Sequence, residues 1–193
     1  MRMNPRFYKI GLVALIISIF VGCVPSWNPL FTDKDLIFDP KLIGTWKGDR
    51  EGVWKFEKDG DKHYKLSYSD EQGKATFIAF LLKIEGRQFL NLFLEDGYDK
   101  DLQMNGLAWL TLVPVHLFLR VDEIGSSVKM AMVDSQWLHK HLKENPRAIA
   151  HLSHPNRDLL TAETKELQEF VLKHAEGKGL FGDSFILERK PPK

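Results

Sequence analysis

Residues 75–84 read Ala-Thr-Phe-Ile-Ala-Phe-Leu-Leu-Lys-Ile, and this stretch decides the fold class. Successive side chains of a β-strand point to opposite faces, so Phe77 and Leu81 would share one face, and Phe80 and Leu82 the other. A strand that is apolar on both faces has to be covered on both, by a barrel interior on one side and a helix or another surface on the other. Core packing, an apolar cavity and a protein-docking face all satisfy that requirement.

Shorter strand-like stretches surround this one at the spacing of β-hairpins, and Asp59-Gly60 is a hairpin turn signal. They cover residues 43–46, 53–57, 62–68, 89–94, 107–121 (broken at Pro114), 128–133 and, as a closing strand, 184–188. So many short strands in succession are typical of an antiparallel meander or a small barrel. We therefore predict a mainly β fold.

Two helices interrupt the β pattern. Asp134 or Ser135 can cap a short helix that Pro146 stops. A second helix is predicted at about residues 164–176, with apolar residues at helical spacing and Gly177 at its end. We expect this C-terminal helix to pack on the outside of the sheet or to cap one end of it.

The opening of the chain has the composition of a secretory signal. Basic residues precede an unbroken apolar run at residues 10–22, and that run is shorter than the roughly 20 residues that a membrane-spanning helix needs. It ends on Phe20-Val21-Gly22-Cys23, which resembles the lipobox of bacterial lipoproteins. In that family the cysteine thiol receives diacylglycerol, the signal is cleaved before the cysteine, and its new amino group is acylated. An uncleaved signal anchor and a plain secretory signal are the alternatives.

This resemblance implies a location in the cell envelope and a division of the chain into three segments. Residues 1–22 would be the signal peptide, residues 23–39 the acylated start and an extended tether, and residues 40–193 the folded domain. Valine rather than aspartate at position 24 favours the outer membrane, facing the periplasm, in a cell that has one. Removal of residues 1–22 takes away three basic residues and no acidic one, so the formal net charge changes from +1 to −2. Such a balance argues against a nucleic-acid partner.

Residues 39–46, Asp-Pro-Lys-Leu-Ile-Gly-Thr-Trp, are similar to the opening of lipocalins and to openings of uncharacterised bacterial envelope lipoproteins. Lipocalins are eight-stranded barrels around an apolar cup. The resemblance implies that Trp46 closes one end of the barrel, that Gly44 permits a close approach there, and that Arg189 can stack on the indole. The alternative is that Trp46 is an ordinary core tryptophan.

The residues that could carry chemistry do not form a recognisable catalytic set. The chain has no Gly-x-Ser-x-Gly motif, and its one cysteine is assigned to lipidation. His139 and His141 are two residues apart on a predicted helix, so their rings diverge, and we interpret His151 and His154 as a loop pair. We therefore predict no enzyme activity, no cofactor and no metal site.

Apolar binding is the function that the strands favour. If they enclose a cup, four side chains would lie nearest its contents: Phe77, Leu81, Phe89 and Phe93. Residues 95–101, an acidic loop, would lie at one rim. His116 and Arg120 share a strand face and could hold an anionic headgroup at the mouth, unless that face is the solvated outside of the barrel.

The sequence as a whole predicts a membrane-anchored envelope lipoprotein that binds or carries an apolar or amphiphilic small molecule such as a fatty acid. The alternative is an interaction module that docks on another envelope protein and holds no ligand. An open barrel interior favours the first function, and a packed interior with an exposed apolar patch favours the second.

Overall fold

The computed structural model describes residues 24–48, 52–94, 113–154, 157–177 and 179–191. Among these residues, a 3₁₀ turn (Pro40–Leu42) precedes most of the strands, and two α-helices are present, α1 (Ser135–Glu144) and α2 (Thr164–His174). The strands are β1 (Leu36–Ile37), β2 (Gly44–Gly48), β3 (Val53–Lys58), β4 (Tyr64–Asp70), β5 (Gly73–Ile84), β6 (Arg87–Leu94), β7 (His116–Ile124), β8 (Ser127–Met132), β9 (His151–His154), β10 (Arg157–Leu160) and β11 (Phe185–Arg189).

Eight of these strands form a closed antiparallel barrel. The order around it is β5, β4, β3, β2, β11, β8, β7 and β6, and β6 pairs with β5 to close the ring. The short strand β1 pairs with the part of β5 that lies beyond β4. The prediction of a mainly β, lipocalin-like barrel with a C-terminal helix is therefore confirmed.

The β5–β6 hairpin fixes the register of the most apolar strands. Glu85 and Gly86 both have positive φ, 47° and 84°, as a two-residue type I′ turn requires. Ile84 consequently pairs with Arg87, and Leu81 pairs with Leu90. Every side chain of β6 is thereby assigned to the inner or the outer face of the barrel.

Both faces of β5 are covered, as its sequence predicts. Ala79 and Leu81 belong to the core inside the barrel, whereas Leu82 and Ile84 belong to a second core outside it. The outer core also contains apolar residues of both helices, among them Leu138 of α1 and Val171 of α2. The molecule thus has two apolar layers that share the wall of β5 to β8.

The helices begin and end close to their predicted boundaries. Asp134 caps α1 by accepting hydrogen bonds from the backbone N–H groups of Gln136 and Trp137, each at 2.9 Å. α1 ends at Glu144, just before Asn145-Pro146, and α2 ends three residues before Gly177. Within the described residues, no helix is long and apolar enough to span a membrane.

The segment predicted as an extended tether is instead part of the folded body. Val24 and Ser26 are buried, and the backbone of Ser26 exchanges two hydrogen bonds of 2.8 Å with that of His116. Leu30 is fully buried, and its N–H donates to Asn91 Oδ1 at 3.1 Å. The prolines of this segment suggest a spacer. In the structure, the backbone of the segment is nevertheless hydrogen-bonded to the barrel. Residues 24–39 therefore belong to the folded domain, which the sequence predicts to start at residue 40.

A second departure from the sequence prediction lies next to this segment. His151 and His154, interpreted as a loop pair, lie instead on a strand of the hairpin β9–β10, in which Leu159 pairs with Leu152. Ser26 bridges β10 at Leu160 and β7 at His116. The hairpin is thereby attached to the barrel through the N-terminal segment. The sequence carries little signal for this attachment, because Ser26 and Leu160 are far apart in the chain.

Candidate functional site

The two ends of the barrel differ in structure. We use the term "closed end" for the end of the barrel that carries the 3₁₀ turn and Trp46. The "open end" is the opposite end, at which β5 starts and β6 finishes. At the closed end, the fully buried indole of Trp46 donates from Nε1 to the carbonyl oxygen of Leu42 at 2.8 Å. The 3₁₀ turn is held against the barrel by this bond, so Trp46 closes the end as the lipocalin resemblance implies.

Arg189 covers Trp46 from outside. Its guanidinium carbon lies 4.2 Å from the centroid of the indole ring, a cation–π contact. Its Nη1 and Nη2 donate to the carbonyl oxygens of Ile43 and Lys41 at 3.1 and 2.7 Å. Gly44 makes room for this group: it has φ 144°, and a Cβ atom there would lie 2.5 Å from Arg189 Nη1. The predicted roles of Gly44, Trp46 and Arg189 therefore belong to one arrangement.

Large side chains fill the barrel between this end and its middle. The fully buried ones that point inward include Phe56, Tyr64, Leu66, Leu81, Leu90 and Met130. Burial raises the pKa of Tyr64 to about 12. Its hydroxyl accepts from the N–H of Asp39 at 2.7 Å and donates to the carbonyl oxygen of the same residue at 3.1 Å. This half of the interior is a packed core.

The open end has apolar inward-facing side chains that are only partly covered. The register places Phe77 beside Leu94 and Leu66, and Met132 beside Leu119, all on the inner face. The partly buried members are Tyr68, Phe77, Leu117, Met132 and Phe185. We name these five residues the cup.

Trp54 and Leu92 lie below the cup and are buried. The ring centroid of Trp54 is 5.1 Å from that of Tyr68, in an edge arrangement, and 6.2 Å from that of Phe185. Leu94, at the rim, is 42% exposed. The cup is therefore a shallow apolar surface with an aromatic floor.

The four predicted cup residues divide between the two faces of the wall. Phe77 and Leu81 point inward, Phe77 into the cup and Leu81 into the packed core below it. Phe89 and Phe93 point outward, because the hairpin register pairs Leu90 with Leu81 and so turns the odd-numbered residues of β6 away from the interior. Phe89 packs in the outer core, with its ring centroid 5.9 Å from that of Phe181. The two-residue turn at Glu85-Gly86 was the sequence signal for this register.

His116 also lies on the outer face, beneath the N-terminal segment. Its Nδ1 is 2.9 Å from Asn91 Nδ2. Because the oxygen of Asn91 already accepts from Leu30, its amide N–H₂ donates to His116. Burial lowers the pKa of His116, which favours the neutral ring that this bond requires.

Arg120 is likewise outside the barrel. It donates from Nε to Asp122 at 2.6 Å and from Nη1 to the carbonyl oxygen of Ala175 at 3.0 Å, and its guanidinium carbon lies 5.3 Å from the ring centroid of Phe181. His116 and Arg120 therefore neither face the cup nor lie on a bare outer wall. They join the wall to the elements that cover it. Residues 95–101, the predicted rim loop, lie outside the described residues.

The histidines take part in local contacts. His139 Nδ1 is 3.0 Å from the buried carboxylate of Asp158, which also accepts from Ser153 Oγ at 2.8 Å. His141 stacks on Trp137 with ring centroids 4.7 Å apart. His151 Nδ1 is 2.8 Å from the carbonyl oxygen of Ile149. In the part of the chain that the structure describes, no three His, Cys, Asp or Glu side chains are grouped to hold a metal.

Two grooves lie on the outside of the molecule. One of about 630 Å³ runs between the helices past Phe170 and is lined by both acidic and basic side chains. The other, about 520 Å³, lies beside Arg120 and Glu176. Both are bordered by charges of mixed sign, whereas the side chains of the cup are uncharged.

No known family model, curated protein or solved structure matches this chain.

Proposed function

We propose that this protein is an envelope lipoprotein, anchored through acylated Cys23, that binds the apolar part of an amphiphile in the cup and is not an enzyme. The observation that carries the binding proposal is the partly covered set of apolar side chains at the open end, above a packed interior. Exposed apolar surface inside a rigid wall is the feature that preformed ligand sites share.

The packed half of the barrel limits how deep a ligand can go. Because Trp46, Tyr64 and Met130 are fully buried below the cup, an acyl chain would insert its end and leave its polar head at the rim. We expect an affinity in the micromolar range, which corresponds to about −8 kcal/mol.

The ligand test uses protein purified without the acyl anchor. Native mass spectrometry before and after delipidation should detect a bound fatty acid or comparable amphiphile, and a fluorescent fatty acid should be displaced by an unlabelled one. An unliganded mass together with no displaceable binding would reject the carrier function.

The anchor has its own test. Cys23→Ala should abolish acylation and detergent partitioning, since Cys23 is the chain's one cysteine. Fractionation of cells that express both forms decides it. A variant that still partitions with lipid after its signal has been removed contradicts the assignment.

A docking module without a ligand is the second candidate. Large apolar side chains that are exposed at the open end, Leu94 and Val113 among them, favour it. Rejection of amphiphile binding, combined with capture of a defined envelope protein that Leu94→Asp abolishes, would support this function instead.

A further inference from the structure

The residues that follow Cys23 in the chain are part of the folded body. Val24 is only 3% exposed, Ser26 is paired with His116, and the N–H of Trp27 donates to the carbonyl oxygen of Leu160 at 2.8 Å. Consecutive Cα atoms are about 3.8 Å apart, so residue 23 is within one peptide unit of a fixed position on the barrel. An acyl anchor on Cys23 therefore leaves no spacer between the bilayer and this part of the surface.

The strand pairings decide which side chains this part of the surface presents. Ser26 pairs with both His116 and Leu160, so these three side chains share a face, and it is the buried face. Side chains alternate along β10, so Leu159 lies on the opposite face. The exposed side chain of Trp27, next to the buried Ser26, is also directed away from the buried face. The opposite face continues the inner face of the barrel, because Leu117, next to His116, points into the cup.

The register of the β9–β10 hairpin adds Leu152 to the same face, opposite Leu159. We name Trp27, Leu152 and Leu159 the rim shelf. Trp27 is 52% exposed and Leu152 is 61% exposed. Arg157 and His154, which pair with each other, project on this side of the hairpin as well, and both are exposed.

We propose that the rim shelf rests on the lipid bilayer, so that the open end of the barrel faces the membrane. This inference rests on the proposed acylation of Cys23. The bilayer is the occupant because the proposed acyl attachment point is only four residues before Trp27 in the chain, and the intervening segment is held on the barrel. Tryptophan and leucine beside an arginine are also the composition of an interfacial surface: the indole favours the headgroup level, and the cation attracts anionic lipid.

This orientation has a consequence for the cup. Leu94, at the rim of the cup, and Leu117, within it, lie on the inner face that the shelf continues. An amphiphile could then pass from the bilayer along the shelf into the cup without exposing its acyl chain to water.

The test measures depth in the membrane with the acylated full-length protein. Because Cys23 is the only cysteine and acylation consumes its thiol, Leu152→Cys offers a single site for a fluorescent label. The matched control is Ile186→Cys, which is 44% exposed on the outer face of β11. Vesicles of phosphatidylethanolamine and phosphatidylglycerol would carry nitroxide-labelled lipid as the quencher.

We expect the label at position 152 to be quenched several-fold more strongly than the label at position 186, since interfacial side chains insert about 5–10 Å. Trp27→Cys provides a second reporter on the shelf if Leu152→Cys does not fold. Equal and weak quenching at the shelf and at position 186, or stronger quenching at position 186, would overturn the orientation.

The mass of the same sample separates the two possible failures. An acylated protein with an unquenched shelf overturns the orientation and leaves the anchor intact. A protein without acyl groups overturns the anchor, and the orientation that depends on it. Amphiphile binding is measured separately, on unanchored protein, and can succeed or fail independently of both.

Discussion

The two ends of this barrel are made from the same strands, yet their inward-facing side chains are buried to different degrees. At the closed end, Trp46 is fully buried, bonded to Leu42 and covered by Arg189. At the open end, Phe77 and Leu117 point into the same interior but stay partly exposed. The comparison separates the two proposed roles: the buried side chains of one end hold the fold, and the partly exposed side chains of the other end are those to which we assign ligand binding.

The largest expected effect is at the closed end. Trp46→Ala should lower the free energy of unfolding by about 3–5 kcal/mol, because it removes a buried aromatic and leaves a cavity. Urea unfolding measures it. The matched control is Trp27→Ala, which removes a half-exposed indole and should change stability by only about 0.5 kcal/mol. A loss below about 1 kcal/mol for Trp46→Ala would mean that this residue does not hold the barrel closed.

Two glycines with similar backbone angles sharpen the comparison. Gly44 (φ 144°) lies against Arg189 at the closed end, whereas Gly73 (φ 154°) has no atom within 4 Å of an added Cβ. Either change to alanine strains the backbone, by about 1–3 kcal/mol. Only Gly44→Ala also displaces the guanidinium from Trp46. Thermal unfolding should therefore show a larger loss of stability for Gly44→Ala than for Gly73→Ala. Equal losses of stability would contradict the role given to Arg189.

Phe77→Ala tests the open end. It should weaken amphiphile binding about tenfold, which corresponds to about 1.4 kcal/mol, while the barrel remains folded. Phe93→Ala is the control, because Phe93 is equally aromatic and partly buried but points outward from the adjacent strand. Fluorescent fatty-acid displacement compares the two. Equal losses of affinity in the two variants would mean that the ligand binds outside the cup.

The smallest effect concerns pH. Burial holds the pKa of His116 below its ordinary value of 6.5, so below that pH the folded chain binds fewer protons than the unfolded one. Stability is therefore complete above about pH 6.5 and falls as the pH drops toward the lowered pKa. The pKa of His174 is lowered by burial and by nearby His141, and it acts in the same direction.

His116→Gln should make the fall in stability between about pH 7 and pH 5 shallower. Urea unfolding at several pH values measures this slope, with His139→Gln as a control at a more exposed histidine. An unchanged slope in His116→Gln would contradict the assignment of a neutral, hydrogen-bonded ring at position 116.

The barrel, its two covered faces and both helices could be predicted from the sequence, because each depends on local periodicity and turn signals. The stacking of Arg189 on Trp46 could be predicted only through the lipocalin resemblance. Nothing in the sequence near Arg189 identifies an indole 143 positions earlier as its partner.

The errors have a common physical origin in long-range pairing. The aromatic character of Phe89 and Phe93 predicts that they lie in the cup, although the register set by Glu85-Gly86 turns them outward. The prolines of the N-terminal segment predict a tether because they resist regular structure. Its partners, His116 and Leu160, lie far along the chain, and no local sequence pattern indicates these pairings.

The central claim is that the open end, and not the packed half, receives the ligand. Two methionines of β8 report on it directly: Met132 points into the cup, and Met130 is fully buried two residues nearer the closed end. With methyl-labelled methionine and a bound fatty acid, NMR should show nuclear Overhauser contacts from the ligand to the Met132 methyl group and none to that of Met130. If the ligand, at a concentration that saturates the protein, contacts neither methyl group, or only that of Met130, the account is contradicted.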